Sequence, residues 1–210
     1  MKNFYLRLAS SIFIVPIFLY AVYEANLFFY FLLTFILSAS FYEIIKNVKQ
    51  KKLLLFLLLL VCFFIFSFIE VRGSGNRSFI LLVWIFLIVW SSDIFGYLVG
   101  KAFGGPKLSK HSPNKTISGF FGSVFFSQMS IIFPYFLLEG FVVSFRTFLL
   151  QLTLAIISIY GDIFFSKIKR LNKIKDYSAL IPGHGGILDR IDGMIFAIIT
   201  YYLIIFFNVL

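Results

Sequence analysis

Charge is what this 210-residue chain has least of: charged residues are 13% of the total, about half the share normal for a soluble protein. Acids are the scarcer sign, with nine Asp and Glu against nineteen Lys and Arg and a formal net charge of +10. A chain that is 60% hydrophobic, with a mean hydropathy of +0.98, falls outside the soluble globular class and among polytopic membrane proteins. There is one cysteine, Cys62, so an internal disulfide is excluded. Set inside an apolar run, it suits packing or lipid contact rather than redox chemistry. Repeats and Pro/Ser-rich linkers are also missing, which leaves one membrane domain over 1–210. No small-x-small cleavage site follows the first apolar run, although Lys2 and Arg7 precede its core, so that run is expected to remain as a span.

What is present is a series of apolar runs, each close to the roughly 17 to 25 residues that cross about 30 Å of hydrocarbon. They lie at approximately 5–24, 27–45, 53–70, 78–100, 117–138, 141–165 and 188–209. The expected fold is therefore all-α, a polytopic helical bundle of about seven transmembrane helices, with six or eight left open. Basic residues then orient it. With the N-terminus inside, the cytoplasmic segments carry Lys2 and Arg7, then Lys46, Lys49, Lys51 and Lys52, then Lys101, Lys107, Lys110 and Lys115, and finally Lys167, Lys169, Arg170, Lys173, Lys175 and Arg190; only Arg72, Arg77 and Arg146 fall outside. That asymmetry predicts a cytoplasmic N-terminus.

The same bias, with attraction to anionic lipid heads, accounts equally well for the whole 46–52 run. Two later cytoplasmic segments, approximately 93–119 and 160–192, are different in kind. There the basic residues alternate with Gly, Ser, Thr, His and Asp, a mixture suited to holding a phosphate. The aromatic residues, 21% of the chain, are read as lipid-facing and core packing rather than as a base-stacking platform. Trp84 and Trp90 suit interfacial anchoring.

Acids within or beside spans are more specific, because each is costly in hydrocarbon. Asp93 lies within the fourth run, Asp162 near the inner end of the sixth, and Asp189 and Asp192 open the seventh. In the expected topology all four reach the same cytoplasmic depth. The competing structural reading is a snorkelling or hydrogen-bonded helix-end acid, and it is strongest for Asp93. Mg²⁺ is typically held by one or two carboxylates, with water and substrate phosphates completing its shell. Asp162 with Asp189 would serve. Lys167, Lys169, Arg170 and Lys175 would hold phosphates, and Gly183, Gly185 and Gly186 would let backbone amides approach an anion. Phosphoryl or nucleotidyl transfer asks for no nucleophilic side chain, only charge neutralisation and in-line positioning.

The order Ser166-x-x-Lys169-Arg170, then Lys175-Asp176, then Pro182-x-His184-Gly185-Gly186-x-x-Asp189-Arg190-x-Asp192 resembles the signature of the phosphatidate cytidylyltransferase, or CDP-diacylglycerol synthase, family. Upstream, Asp93-x-x-x-Tyr97-x-x-Gly100-Lys101-x-Phe103-Gly104, Lys107 and Ser112-Pro113-x-Lys115-Thr116-x-x-Gly119 is similar to a second motif of that family. A match this long is far more specific than a lone glycine motif. Members commonly carry Glu where Ser118 stands, which removes any acidic role there. The chain also looks short on the N-terminal side.

The resemblance implies transfer of CMP from CTP to phosphatidic acid, giving CDP-diacylglycerol and pyrophosphate, with Mg²⁺ required and room for a monovalent cation such as K⁺. It implies Asp162 and Asp189 as metal ligands, and Lys169, Arg170, Lys175 and Arg190 as phosphate or pyrophosphate contacts. Asp176 and Asp192 enter as further acids of the catalytic set. It places Ser112, Lys115 and Thr116, with Ser166, Gly183, His184, Gly185 and Gly186, in the substrate-binding set; His184 fits equally as a donor to phosphate or as a fixture of its loop. The implied partners are CTP, phosphatidic acid and membrane lipids, with no nucleic acid and with room for a homodimer. In a bacterium the site would face the cytoplasm from the inner membrane. Two other functions stay open: a CTP-dependent polyprenol or phytol-type lipid kinase, and an ion-coupled transporter.

Overall fold

The computed structural model describes residues 2–181 and 185–209, with side chains from Ile12 onward. Helices occupy all seven apolar stretches: α1 (Lys2–Glu24), α2 (Leu27–Asn47), α3 (Lys51–Arg72), α4 (Asn76–Phe103), α5 (Ile117–Ser127) with α6 (Ile132–Leu137), α7 (Phe145–Leu171) and α8 (Leu188–Phe206). Among the described residues there are no strands, only isolated bridges at Lys107 with Thr116 and at Ile181 with Gly185. Five stretches among the described residues are long and apolar enough to cross a membrane: α2, α3, α4, the α5–α6 unit and α7. The described side chains of α1 form a shorter apolar helix, Ile12–Glu24. The 19-residue α8 is charged at its start, with Asp189, Arg190 and Asp192.

Local chemistry sets the boundaries. Asn26 caps α2, its Oδ1 accepting from the Phe28 amide at 2.9 Å; Ser144 and Thr147 form a reciprocal capping box that opens α7. The expected 117–138 span is interrupted by a 3-10 turn, Gln128–Ile131. Here Ser127, Ser130 and Gln128 bond back to carbonyls three or four residues earlier, the competition that tightens and bends helices. Gln151 of α7 donates to the Ser127 carbonyl at 2.6 Å and to Ser130 Oγ at 2.7 Å. Irregular backbone at membrane depth requires such partners.

The central helix is α4, which packs against α1, α3, α5, α7 and α8. Its Trp84 is 1% exposed and stacks edge-on to Phe141, so this tryptophan is a core residue and not the interfacial anchor that its aromatic character suggested. Many other aromatics, including Phe31, Phe121, Phe125 and Phe136, are exposed, as a lipid-facing surface requires. At the end opposite the signature loops, the buried Arg72 guanidinium donates to the Val22 and Tyr23 carbonyls, closing the C-terminus of α1.

Two contacts depend on missing side chains. Gly96 and Gly100 of α4 lie against Gly119, Ser123 and Thr116 of the α5 start, and Gly161 of α7 lies against Asp192 and Gly193 of α8. Small residues permit such approaches between helices in lipid, where dispersion replaces hydrophobic driving force. A Cβ on Gly119 would sit 2.6 Å from the Gly96 carbonyl oxygen, which is backbone and cannot step aside. Gly119→Ala should therefore lose about 1–3 kcal/mol, seen as a lower Tm in detergent. Gly75→Ala, whose Cβ would meet only a backbone nitrogen at 4.0 Å, should lower Tm less, by only the helix-cap preference for glycine over alanine at the start of α4.

Candidate active site

The two sequence motifs meet at one end of the bundle. The segment between α4 and α5 folds back on itself: the Leu108 amide donates to the Lys115 carbonyl at 2.8 Å, and the Ile117 amide to the Pro106 carbonyl at 2.9 Å. Thr116 then caps α5 by accepting from the Gly119 amide at 3.1 Å. Ser118 donates to the Gly104 carbonyl, so the position where the motif usually carries Glu here ties the loop to the end of α4.

These contacts shape a cleft of about 260 Å³, lined by Asp93 and Gly96 of α4, Ser112, Lys115 and Thr116 of the loop, and Asp162 of α7. Lys115 Nζ lies 2.5 Å from Asp162 Oδ2, both side chains being about a quarter exposed. Ser166, one turn along α7, donates to Asp162 Oδ1 at 3.2 Å. The structure thus brings Ser112, Lys115, Thr116, Asp162 and Ser166 together, and adds Asp93 to them.

Asp189 stands apart from that cleft wall. Its Oδ1 receives Lys169 Nζ at 2.7 Å, and its Oδ2 receives the Tyr177 amide at 2.9 Å and the Gly186 amide at 3.0 Å. The side chain is 4% exposed. Asp192 lies within electrostatic range of Asp162, Asp93 and Lys169, and its Oδ1 accepts its neighbour's Gly193 amide. The close approach of Gly161 to Asp192 and Gly193 carries α8 to α7 beside Asp162. Lys167, Arg170, Lys175, Asp176 and Arg190 are exposed around this end, with Arg170 donating to the Ile174 carbonyl at 3.3 Å.

The described part of the glycine turn serves an internal anion. Gly185 adopts φ +88°, a left-handed conformation, and exchanges backbone hydrogen bonds with Ile181. Gly186 spends its amide on Asp189. Pro182, Gly183 and His184, between Ile181 and Gly185 in the sequence, lie outside the described residues.

One residue of this region was missed by motif reading. Glu43 of α2 is fully buried and reaches across the fold to the Ile187 and Leu188 amides and the Ser178 hydroxyl. Its signal was present, since an acid within an apolar run invites a functional reading, but no motif residue adjoins it. Nearby, Asn47 donates to the Tyr177 carbonyl at 2.7 Å and Asn172 Oδ1 accepts from the Lys49 amide at 3.3 Å. The basic 46–52 run is therefore physically attached to the signature loop. Tyr177 is 2% exposed; burial, then the charges of Asp189, Asp192 and Glu43, push its hydroxyl far above its usual range.

Among the described residues no three His, Cys, Asp or Glu gather around one point. Asp162 and Asp189 each stand beside a lysine, with Asp93 and Asp192 in electrostatic range of Asp162. An open set of this kind could hold Mg²⁺, which typically completes its shell with phosphate and water oxygens, and is not a closed protein cage.

Comparison with known proteins fits the same residues. The cytidylyltransferase family matches residues 46–208. The chain belongs to that family. It is 34% identical to the phosphatidate cytidylyltransferase of Rickettsia bellii over 204 residues, covering 92% of this chain and 87% of the relative. With the Thermotoga maritima phosphatidate cytidylyltransferase it shares 38% over 150 residues, or 69% of this chain and 55% of the relative. For the Brucella abortus protein of the same name the figures are 39% over 137 residues, 63% and 49%.

Membership in the cytidylyltransferase family leaves the energetic weight of each pair to be measured. Removing one member of the buried Lys169–Asp189 pair strands the other charge, so Asp189→Asn should cost on the order of 3–5 kcal/mol in detergent unfolding. Asp176→Asn, at an exposed position, should change stability by about 0.5 kcal/mol or less.

Proposed function

We propose that this chain is an integral membrane nucleotidyltransferase that transfers CMP from CTP to phosphatidic acid, forming CDP-diacylglycerol and pyrophosphate. The observation that carries the reading is the union of both motifs at one end of the bundle, where the Lys115–Asp162 and Lys169–Asp189 pairs stand on adjoining elements within the family match. Cation and anion are presented side by side, which is what a metal–triphosphate needs from its host.

In the reaction a phosphatidate oxygen, already ionised near neutral pH, forms a bond to the α-phosphorus of CTP. The bond from that phosphorus to the bridging oxygen breaks, and the electron pair leaves with pyrophosphate. No side chain needs to remove a proton. Lys115, from the loop that walls the cleft, would meet phosphate oxygens, with Ser112 and Thr116 as neutral donors beside it. Lys169, Arg170, Lys175 and Arg190 would hold the phosphate and pyrophosphate groups. Asp162, which faces the cleft, and Asp189 would hold Mg²⁺. When bound, the ion would offset the triphosphate charge and favour departure of pyrophosphate. Each lysine would exchange its carboxylate for a phosphate, so both partners keep an opposite charge nearby.

The topology proposed with this function has seven spans, α1 and α8 included, with the N-terminus and the site on the cytoplasmic face of a bacterial inner membrane. Support comes from the gathering of Asn47, Lys49, Lys115 and Asn172 at one end of the bundle and of Arg72 at the other. A tag placed after Leu210 should then resist a protease supplied from the cytoplasmic side; cleavage would require another span count.

The reaction itself is tested with purified protein in detergent, labelled CTP, phosphatidic acid and Mg²⁺. Labelled CDP-diacylglycerol and pyrophosphate are expected, and release of CDP alone would assign a lipid kinase instead. Asp162→Asn, at a partly exposed position, should lower turnover on the order of 100-fold or more and raise the half-saturating Mg²⁺ concentration. Turnover near normal would remove Asp162 from the metal site.

A further inference from the structure

Helix α8 begins without a cap of its own. Ile187, at the N-cap position, makes no side-chain cap hydrogen bond, yet the Ile187 and Leu188 amides are buried. Orphan amides at a helix start must find acceptors. Both are taken by Glu43, 144 and 145 residues distant in sequence: the Ile187 amide donates to Oε1 and the Leu188 amide to Oε2, each at 2.9 Å. Ser178 Oγ donates to Oε1 at 2.5 Å. The carboxylate also sits at the positive end of the α8 dipole, where a negative group is favoured.

Gly186 fits the same arrangement from the other side. A Cβ there would lie 2.5 Å from Glu43 Oε1, so the absence of a side chain at this position makes room for the carboxylate. Immediately beyond the capped amides, the first turns of α8 carry Asp189, Arg190 and Asp192. Glu43 itself stands just before the family-matched residues 46–208, on a helix that supplies no wall of the cleft.

We propose that Glu43 is a positioning residue for the transfer reaction: by capping α8 from α2, it fixes the height and rotation of the helix start that carries Asp189 and Asp192. This rests on the proposed cytidylyl transfer. Both oxygens are needed, because each accepts an amide that has been taken out of water. In Glu43→Gln the side-chain NH₂ would face one of those N–H groups, donor against donor. The effect should appear in the step that uses the α8 acids, while the cleft walls from α4, the 104–116 loop and α5 still receive the nucleotide.

The test uses the full chain in detergent with CTP, phosphatidic acid and Mg²⁺, reading kcat per folded molecule, KM for CTP, half-saturating Mg²⁺ and Tm. Glu43→Gln is expected to lower kcat by about 10- to 100-fold, the range for groups that orient ligands from behind. Half-saturating Mg²⁺ should rise severalfold while KM for CTP stays within about threefold, since the walls of the cleft are untouched. Glu43→Asp, which keeps the charge but draws it back by one methylene, should show the same split to a lesser degree. It carries the test if the glutamine variant does not fold. Glu70→Gln, an exposed acid at the other end of the bundle, should behave as wild type. If folded Glu43 variants keep normal kcat and Mg²⁺ response, or lose activity only in proportion to their unfolded fraction, the residue is structural and the proposal fails. A wild type that makes no CDP-diacylglycerol overturns the functional reading together with it; an active wild type with unaffected variants overturns this inference alone.

Discussion

A carboxylate removed from water has to be met by donors or cations, and the active end of this bundle is arranged around that requirement. Asp162 is met by Lys115 and Ser166, Asp189 by Lys169 and two amides, and Glu43 by two amides and a hydroxyl. Each set joins different parts of the chain. The loop after α4 is tied to α7, the end of α7 to the start of α8, and α2 to the turn between them. The acids proposed to serve the chemistry thus also join the elements of the site to one another.

Close backbone contact makes the arrangement possible. Asp93 is placed on the cleft because α4 meets the start of α5 through Gly96, Gly100 and Gly119, and Asp192 approaches Asp162 because Gly161 meets Gly193. Side chains at these points would separate the helices and move Asp93 and Asp192 away from Asp162. In a membrane, where apolar surface gains nothing by leaving lipid for protein, such packing is a main source of helix association.

Asp162 and Asp189 each rest beside a lysine, and Asp93 and Asp192 add further negative charge next to Asp162. A metal–triphosphate carries both signs, so it can take both partners of a pair in one binding event. Under the proposed reaction, that exchange suits the lysines and aspartates that alternate along the signature.

Much was legible in the order of residues. The apolar runs gave seven helix positions, five of them, among the described residues, long and apolar enough to cross a membrane. Most of the basic residues fall in the segments near the end where the two motifs meet. The motif spacing carried the family, since Lys115, Asp162, Lys169 and Asp189 are recognisable in one dimension. The 3-10 interruption at Gln128–Ile131 was less visible, because it depends on Gln151 from another helix. The same holds for Trp84, whose ring looks interfacial until its neighbours are known to bury it. What only the tertiary structure decided is which carboxylate meets which donor. Hydrogen bonding acts over about 3 Å, whereas Glu43 and Leu188 are 145 residues apart along the chain, and no pattern of spacing encodes that meeting.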